Sequence, residues 1–331
     1  MASRRLLLGI DGGQTSTKSL LALQDGTILS SGSGPASDHF HIEGGIERNR
    51  RAIHGTTHDA LAKANADVSD LVSIALGLTG APPPGDLRRP VYDLVAEIAS
   101  PEHIVIEPDY VTNLIGASSG GIGVVLIAGG GCIGYGITDD GRNALAGGYG
   151  FLLGDEGSAF KIGLGAIRAA SFAHDKRGEP TVLTERICER FGLASIRDIT
   201  RVVYKAGFER NQISLLTPLV ADAAAAGDGP AMRILADAGS SIGLVALGVI
   251  RQLFEQGDEV SVYKTGGVFN IGAPVTDAMQ RVLNEGWPTA VAREPRFPPA
   301  VGGVIAAARA AGIPVDDAFL DRVQATLPAV L

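Results

Sequence analysis

The sequence predicts an α/β protein that is built from two related lobes. Two observations support this: apolar runs of strand length end in glycine-rich loops, and one such plan occurs twice. In the first copy, Leu6–Leu8 leads into the glycines of residues 9–18, and a further apolar run ends at an Asp-Gly turn. In the second copy, Gly123–Ile127 leads into Gly129–Gly131, apolar alternation follows, and Asp140-Gly141 makes the turn. We expect each lobe to offer one glycine-rich loop to a cleft between them.

The composition is that of a globular protein with a sizeable core. Of the 331 residues, 45% are hydrophobic and 19% are charged, which argues against a disordered chain. The formal net charge of −8 argues against nucleic acid or an anionic membrane as the main partner. The two cysteines indicate no disulfide framework, and the apolar run after Met1–Arg5 meets Asp11 too early for a signal peptide. We therefore expect a cytoplasmic protein.

The first glycine-rich loop has the residue types of a phosphate-binding site. Gly12 and Gly13 let backbone N–H groups turn towards a ligand without hindrance from side chains. Gln14 and Thr15 add neutral donors, and Asp11 at the end of the strand suits Mg²⁺ that is held through water. An ordinary glycine-rich hairpin turn has the same composition, so this stretch alone leaves both interpretations open.

Two later stretches contain candidate substrate groups. The Gly/Ser/Pro-rich segment Ser31–Glu43 is predicted to be a loop, either a solvated connection or one that presents polar and aromatic groups: Asp38, His39 and Phe40. The strand His103–Asp109 ends in a carboxylate, and ligands of open α/β sheets bind at the carboxyl ends of strands. Asp109 is therefore a candidate general base on a substrate hydroxyl, and the N-cap of a following helix is the alternative.

Three glycine-rich segments lie in the second half of the chain. Gly129–Gly134 formally matches the G-x-G-x-x-G dinucleotide pattern, but strand alternation follows where that fold needs a helix. Ala146–Ser158 ends in Asp155-Glu156-Gly157-Ser158, where Asp155 or Ser158 could cap the following helix, or the two adjacent acids could bind substrate hydroxyls. A later strand runs into Gly266 and Gly267, where a flat ring could lie against the backbone or the chain could simply turn.

Helical patterns fill most of the remaining chain. They cover Gly45–Ala66, Val91–Ala99, Thr181–Glu255 with a break at Gly227–Pro230, Pro298–Ala311, and the tail through Leu331. His54 and His58 are four residues apart on the first of these helices, without a third metal ligand nearby in sequence, and we interpret them as surface histidines.

Together these motifs resemble those of the sugar-kinase, Hsp70 and actin superfamily. Within it, the chain is similar to the BadF/BadG/BcrA/BcrD-type ATPase family, which includes N-acetylglucosamine kinase, and the resemblance covers nearly the whole chain. Residues 11–15, 127–131 and 265–268 resemble its first phosphate, second phosphate and adenosine motifs. The most specific match is Gly147–Gly150 followed by Gly154–Ser158, which is similar to a segment that touches the sugar in the kinases.

The resemblance implies a two-lobed actin-like ATPase fold of duplicated RNase H-like domains with an interdomain cleft. We place the domains at 1–117 and 118–331, with the last helix folding back onto the first lobe. It also implies an ATP-dependent amino-sugar kinase that uses Mg²⁺ and phosphorylates the 6-hydroxyl of N-acetylglucosamine, without nucleic acid or membrane as a partner. Homodimers are common in that family, although no feature of the sequence indicates an interface.

The resemblance also assigns the site residues. Asp109 matches the catalytic base, and Asp11 matches the residue that holds Mg²⁺. The ATP-binding residues would be Gly12, Gly13, Gln14, Thr15, Lys18, Gly129, Gly130, Gly131, Gly266 and Gly267. The substrate-binding residues would be Asp38, His39, Asp109, Gly148, Tyr149, Gly150 and Asp155.

Departures from the family's pattern leave alternatives for the substrate and the activity. Asp38 and Phe40 stand where the kinases have asparagine and tryptophan, and a carboxylate at position 38 would favour a free amine such as that of glucosamine, or other hydroxyls. Gly130 and Cys132 stand where the second phosphate loop often has threonine and serine. The alternatives are a glucosamine or other hexose kinase, an activator ATPase with an iron–sulfur cluster held between subunits, and a non-catalytic ATP-binding sensor.

Overall fold

The computed structural model describes residues 4–13, 15–37 and 39–330. The strands are β1 (Leu6–Gly12), β2 (Thr17–Leu23), β3 (Ile28–Gly34), β4 (Leu71–Leu78), β5 (His103–Pro108), β6 (Gly123–Ala128), β7 (Cys132–Ile137), β8 (Asn143–Gly147), β9 (Val260–Thr265) and β10 (Ala290–Arg293). The α-helices are α1 (Gly45–Ala64), α2 (Arg89–Ala96), α3 (Asp109–Ser118), α4 (Gly150–Leu153), α5 (Ala159–His174), α6 (Leu183–Phe191), α7 (Ile199–Val203), α8 (Asn211–Ser214), α9 (Thr217–Ala225), α10 (Gly229–Leu253), α11 (Ala273–Gly286), α12 (Pro299–Ala310) and α13 (Asp317–Thr326).

The chain divides into two compact units, each built on a five-stranded sheet. The first unit contains the described residues up to Gly123 and those from Glu294 onward, and the second contains Val124–Arg293. The first sheet has the order β3-β2-β1-β4-β5, and the second has the order β8-β7-β6-β9-β10. The second order repeats the first, strand for strand, so the predicted α/β class and the predicted duplication are confirmed.

The division of the structure differs from the boundaries drawn on the sequence. All described residues from Glu294 belong to the first unit, including both α12 and α13, whereas the sequence suggested the return of a final helix alone. The Ile28 N–H of β3 donates to the Thr326 hydroxyl of α13 at 2.9 Å, which ties this end of the chain to the first sheet. The assignment of domains 1–117 and 118–331 stays a prediction.

The first sheet is covered by helices on both faces. Alternate residues of a strand point to opposite faces, and β1 follows this rule: Leu6 and Leu8 pack with residues of α1 and α2, whereas Leu7 packs with residues of α12 and α13. Strand β1 pairs antiparallel with β2 and parallel with β4, and β4 pairs parallel with β5. The carboxyl ends of β1, β4 and β5 therefore lie side by side at one edge of the sheet.

The sequence predicts a loop over Ser31–Glu43, but the first four of these residues form the end of β3. The prediction is wrong for those four residues. Small polar residues lie there because α1 crosses β3 closely: a Cβ on Gly32 would lie 2.0 Å from the Thr56 carbonyl oxygen. In the same contact the Ser30 hydroxyl donates to the Ala60 carbonyl oxygen at 2.7 Å. A composition typical of loops here reflects close helix packing.

Helix α12 packs on the first sheet through glycines. A Cβ on Gly9 of β1 would lie 2.3 Å from the Val304 backbone nitrogen and 2.4 Å from the Ala300 carbonyl oxygen. On the neighbouring face of the helix, a Cβ on Gly302 would lie 1.9 Å from the Thr112 carbonyl oxygen of α3. Real Cβ atoms do not approach backbone atoms this closely, so glycines at these two positions allow α12 to approach β1 and α3.

The second unit is mainly helical outside its sheet, as the sequence predicts. The predicted break lies between α9 and α10, where the Asp228 side chain accepts a hydrogen bond from the Ala231 N–H and caps α10. Among the described helices, α10 has the length and apolar composition that could cross a membrane. More than half of its most apolar stretch is buried inside the protein, however. That burial is typical of a core helix.

Candidate functional site

The first candidate phosphate loop is the tight turn between β1 and β2. The Gly13 N–H donates to the Ser16 carbonyl oxygen at 3.1 Å, which closes a hairpin in which Asp11 pairs with Lys18. The backbone is therefore that of a hairpin turn, one of the two interpretations of the sequence. Because Thr15 lies exposed at its tip, the same turn remains open to a ligand. Phosphate binding there stays a prediction.

Gly12 occupies a position that has no room for a side chain. A Cβ there would lie 2.6 Å from the Leu78 Cδ2 atom. The next residue is braced from outside the hairpin, since Ser37 donates its N–H at 3.0 Å and its hydroxyl at 3.2 Å to the Gly13 carbonyl oxygen. Gly12 is thus packed against the end of β4, and Gly13 is held by hydrogen bonds from Ser37.

Asp11 lies at the carboxyl end of β1 in an environment that disfavours its charge. Burial, and to a smaller extent the charge of Asp109, raise the pKa of Asp11 from 3.8 to about 7, although Lys18 acts in the opposite direction. A carboxylate whose charge is disfavoured by burial and by a second carboxylate lies at a site that a cation would stabilise, because the cation would neutralise that charge.

This pKa makes the stability of the metal-free protein depend on pH. Asp11 keeps a proton in the folded chain that it has lost in the unfolded chain above pH 3.8, so its stabilising contribution disappears as the pH rises through about 7. Between about pH 5 and about pH 8, we expect the free energy of unfolding to decrease less in Asp11→Asn than in the wild type. Urea denaturation with EDTA at about pH 5 and about pH 8 measures the difference. An equal decrease in both proteins would contradict a raised pKa of Asp11 in the folded chain.

Asp109 is the first residue of α3 and follows directly after β5. The Thr79 hydroxyl donates to Asp109 Oδ2 at 2.6 Å. Burial raises the pKa of Asp109, whereas the hydrogen bond from Thr79, the Tyr110 backbone N–H and a charge on His39 act to lower it. The alternative that Asp109 is only an N-cap does not describe its position, since the N-cap is Pro108. The result is a shielded carboxylate held in place by several donors.

Thr79 is a site residue that the sequence analysis missed. It follows β4, and its N–H donates to the Gly12 carbonyl oxygen at 2.9 Å while its hydroxyl holds Asp109. It therefore connects the first turn to the candidate base. Its position directly after a fully buried strand could have indicated it, because ligands bind at the carboxyl ends of strands. Asp109 was selected by that same rule.

The structure separates the members of the predicted sugar-contacting loop. The His39 ring packs on Gly80, where a Cβ would lie 2.1 Å from the ring Nδ1 atom, and its charge influences Asp109. Phe40 is only 9% exposed and packs with the core between the first sheet and α1, so the interpretation that the loop presents this aromatic ring to a ligand is wrong. Asp38, and likewise Gln14 of the first turn, lie outside the described residues.

The second candidate phosphate loop connects β6 to β7 and is open. A Cβ on Gly129 or Gly130 would meet no atom within 4 Å, so the backbone of both residues is accessible to a ligand. The Gly129 N–H donates to the Gly131 carbonyl oxygen at 2.9 Å and tightens the turn. Strand β7 follows at once, which removes the dinucleotide-binding alternative, because that fold requires a helix here.

Asp155 holds the end of this second loop through a hydrogen bond. Its carboxylate accepts a hydrogen bond from the Cys132 N–H at 3.1 Å, and it is buried with the left-handed φ of 60°. A Cβ on Gly131 would lie 3.1 Å from the same Asp155 Oδ1 atom. The cap of α5 is Ser158, whose side chain accepts from the Lys161 N–H, so the capping alternative applies to that residue. Substrate binding by Asp155 stays a prediction.

The segment after β8 presents an unusual apolar surface. Gly148 and Gly150 have φ values of 72° and 78°, and between them Tyr149 is 76% exposed. Phe151 anchors the segment, with its ring 5.4 Å from the Phe160 ring and 4.6 Å from the Arg210 guanidinium carbon. An anchored turn with an exposed aromatic ring is suited to contact with a ligand.

The candidate adenosine motif lies beside the second phosphate loop. Strands β6 and β9 pair in parallel, with Ile127 opposite Thr265, so their carboxyl ends are neighbours. Gly266 has a φ of 101°, and a Cβ there would lie 2.3 Å from the Ala128 carbonyl oxygen. Space is open beside Gly267. The second unit thus brings two of the three predicted nucleotide motifs together at one sheet edge.

Comparison with known proteins identifies the family. The model of the BadF/BadG/BcrA/BcrD ATPase family matches residues 8–307. This chain belongs to the BadF/BadG/BcrA/BcrD ATPase family. It is 30% identical to the N-acetylmuramic acid/N-acetylglucosamine kinase of Clostridium acetobutylicum, over 92% of this chain and 98% of that protein. It is 27% identical to the N-acetyl-D-glucosamine kinase of Dictyostelium discoideum, over 92% of this chain and 98% of the relative.

Comparison with solved structures supports the fold. The protein provisionally named an N-acetylglucosamine kinase from Chromobacterium violaceum superposes with a TM-score of 0.73 at 28% identity. The alignment covers 92% of this chain and 99% of that one. The predicted two-lobed actin-like ATPase fold is therefore confirmed, together with the predicted resemblance.

The described residues fit a nucleotide phosphate group and a divalent cation. In residues 4–13, 15–37 and 39–330, no three His, Cys, Asp or Glu side chains are grouped to hold a metal by themselves. Mg²⁺ commonly binds through one or two carboxylates together with waters and substrate phosphates. Asp11, with its raised pKa and its neighbour Asp109, provides carboxylates of that kind in a member of an ATPase family.

Proposed function

We propose that this protein transfers the γ-phosphate of ATP to the 6-hydroxyl of N-acetylglucosamine. The observation that carries the proposal is the Asp109 carboxylate at the carboxyl end of β5, held by Thr79 and close enough to Asp11 to raise its pKa. A partly buried carboxylate at the edge where ligands bind is the group that a sugar kinase needs as its general base.

The enzyme class is ATP-dependent carbohydrate kinase, because the chain belongs to an ATPase family and its relatives over most of its length are named as amino-sugar kinases. The coarser function is therefore that of an amino-sugar kinase. The 6-hydroxyl, the preference for N-acetylglucosamine and the use of Mg²⁺ belong to the proposal. So does the cytoplasmic location. A homodimer likewise stays a prediction.

In the proposed reaction, Asp109 accepts the proton of the sugar hydroxyl while that oxygen forms a bond to the γ-phosphorus. The bond from the γ-phosphorus to the bridging oxygen breaks, and ADP leaves. Such reactions depend mainly on positioning and on neutralisation of the phosphate charge. The raised pKa of Asp109 brings its basicity closer to neutral pH than that of an ordinary aspartate.

The remaining residues bind and orient the reactants in this proposal. Asp11 would hold Mg²⁺ through water, and the ion would supply positive charge at the phosphates. The residues proposed to contact ATP are Gly12, Gly13, Gln14, Thr15, Lys18, Gly129, Gly130, Gly131, Gly266 and Gly267. The residues proposed to contact the sugar are Asp38, His39, Asp109, Gly148, Tyr149, Gly150 and Asp155.

The position of the transferred phosphate tests the proposal. The product formed from N-acetylglucosamine and Mg·ATP is purified, and phosphorus–proton coupling is measured by NMR. We expect coupling to the two C6 protons. The 6-deoxy analogue serves as the matched control and should give no product. Coupling to the anomeric proton, or phosphorylation of the 6-deoxy analogue, would overturn the assignment of the 6-hydroxyl.

A second candidate substrate is glucosamine, and the carboxylate at position 38 favours it. The activator-ATPase alternative is weakened by the cysteines. Cys132 is 2% exposed, and burial together with nearby acidic charges raises the pKa of its thiol to about 12. Iron is held by thiolates at a shared subunit surface in the activators, and a buried neutral thiol suits neither requirement.

A further inference from the structure

We propose that Thr79 is a positioning residue that fixes the orientation of the Asp109 carboxylate. The inference rests on the proposed function, because it assigns Asp109 as the base. Three contacts converge on the short turn that follows β4, and they involve the first phosphate turn, the base and the predicted sugar loop.

The first two contacts come from Thr79 itself. Its hydroxyl donates to Asp109 Oδ2 at 2.6 Å, and its N–H donates to the Gly12 carbonyl oxygen at 2.9 Å. Strand β4 lies between β1 and β5, so Thr79 bridges the ends of both neighbours. Threonine is stiff about its first side-chain torsion, so a hydroxyl on this fixed backbone has a defined position.

The third contact comes from the next residue. Gly80 has a φ of 65°, and a Cβ there would lie 2.1 Å from the His39 Nδ1 atom. The His39 ring therefore packs directly against the turn that holds the base. Without the Thr79 hydroxyl, one oxygen of Asp109 would lose a short charge-assisted hydrogen bond, and the carboxylate could rotate away from the reactive orientation.

Strand β4 offers a comparison between two kinds of hydroxyl. Ser73 is fully buried and donates to the Ala307 carbonyl oxygen of α12 at 2.7 Å, which joins a strand to a helix. Thr79 is only partly buried, and its acceptor is an ionisable side chain at the ligand-binding edge. Loss of the Ser73 hydroxyl should affect stability, whereas loss of the Thr79 hydroxyl should affect turnover.

The experiment compares Thr79→Val, Thr79→Ser and the control Ser73→Ala in the full chain. We expect Thr79→Val to lower kcat about 10- to 100-fold while KM for ATP changes less than about twofold. Thr79→Ser should restore most of kcat, and Ser73→Ala should lower the melting temperature at nearly normal kcat. If Thr79→Val does not fold, Thr79→Ala replaces it, with the same expectation.

The outcomes separate this inference from the proposed function. Wild-type phosphorylation of an amino sugar with an unchanged kcat in Thr79→Val would overturn the positioning role alone. A Thr79→Ser variant that stays as slow as Thr79→Val would also overturn it, because the hydroxyl would then not be the active feature. A wild type that phosphorylates no sugar would refute the proposed function, and Thr79 would have no base to position.

Discussion

Replacing Asp109 with asparagine is expected to lower kcat by about 10²- to 10⁴-fold with little change in ATP affinity. The amide has nearly the shape of the carboxylate and can still accept a hydrogen bond from Thr79, but it cannot take up the proton of the sugar hydroxyl. Steady-state kinetics with N-acetylglucosamine and a direct ATP-binding titration measure both quantities.

Glu107 provides the matched control for this variant. It is a partly buried carboxyl group two residues earlier on β5, and burial raises its pKa as it does that of Asp109. Glu107→Gln removes a comparable charge and should keep kcat within about threefold of the wild type. If Asp109→Asn were as active as Glu107→Gln, Asp109 would not be the base.

The largest expected effect on stability comes from Gly9→Ala. A methyl group at this position would lie 2.3 to 2.4 Å from backbone atoms of α12, and neither the strand nor the helix backbone can move aside without disturbing the core. We expect the free energy of unfolding to fall by about 3 kcal/mol. Urea denaturation followed by far-UV circular dichroism is the measurement, because Trp287, the single tryptophan, lies in the second unit.

Gly120→Ala is the control for the added methyl group. Gly120 is exposed in the same unit, and a Cβ there would meet no atom within 4 Å. This variant should change the free energy of unfolding by less than about 0.5 kcal/mol. Equal effects of the two substitutions would show that the close approach of α12 to β1 does not limit stability.

The sequence predicted the parts of the site that depend on where strands end. Asp11 and Asp109 follow apolar runs, and pairing of the strands then places both at one sheet edge. Gly129 and Gly266 were found by the same rule in the second unit. Strand ends are visible because apolar runs stop abruptly at glycine or aspartate.

Other features depend on tertiary contacts that a local pattern does not contain. Thr79 follows a strand like the others, but only the distance to Asp109 distinguishes it from an ordinary threonine. The polar residues around Phe40 predict an exposed aromatic ring, but the ring packs in the core beside α1. Gly32 has the composition of a loop and forms part of a strand, because α1 crosses it closely.

ADP formation from Mg·ATP in the presence of single sugars tests the central claim most directly. The panel contains N-acetylglucosamine, glucosamine, N-acetylmannosamine, N-acetylmuramic acid, glucose and no sugar. We predict strong stimulation by N-acetylglucosamine over the sugar-free rate. Stimulation by glucosamine alone would contradict the N-acetyl preference and would make Asp38 a candidate partner of the ammonium group. A rate that no sugar increases would contradict the assignment of a sugar kinase.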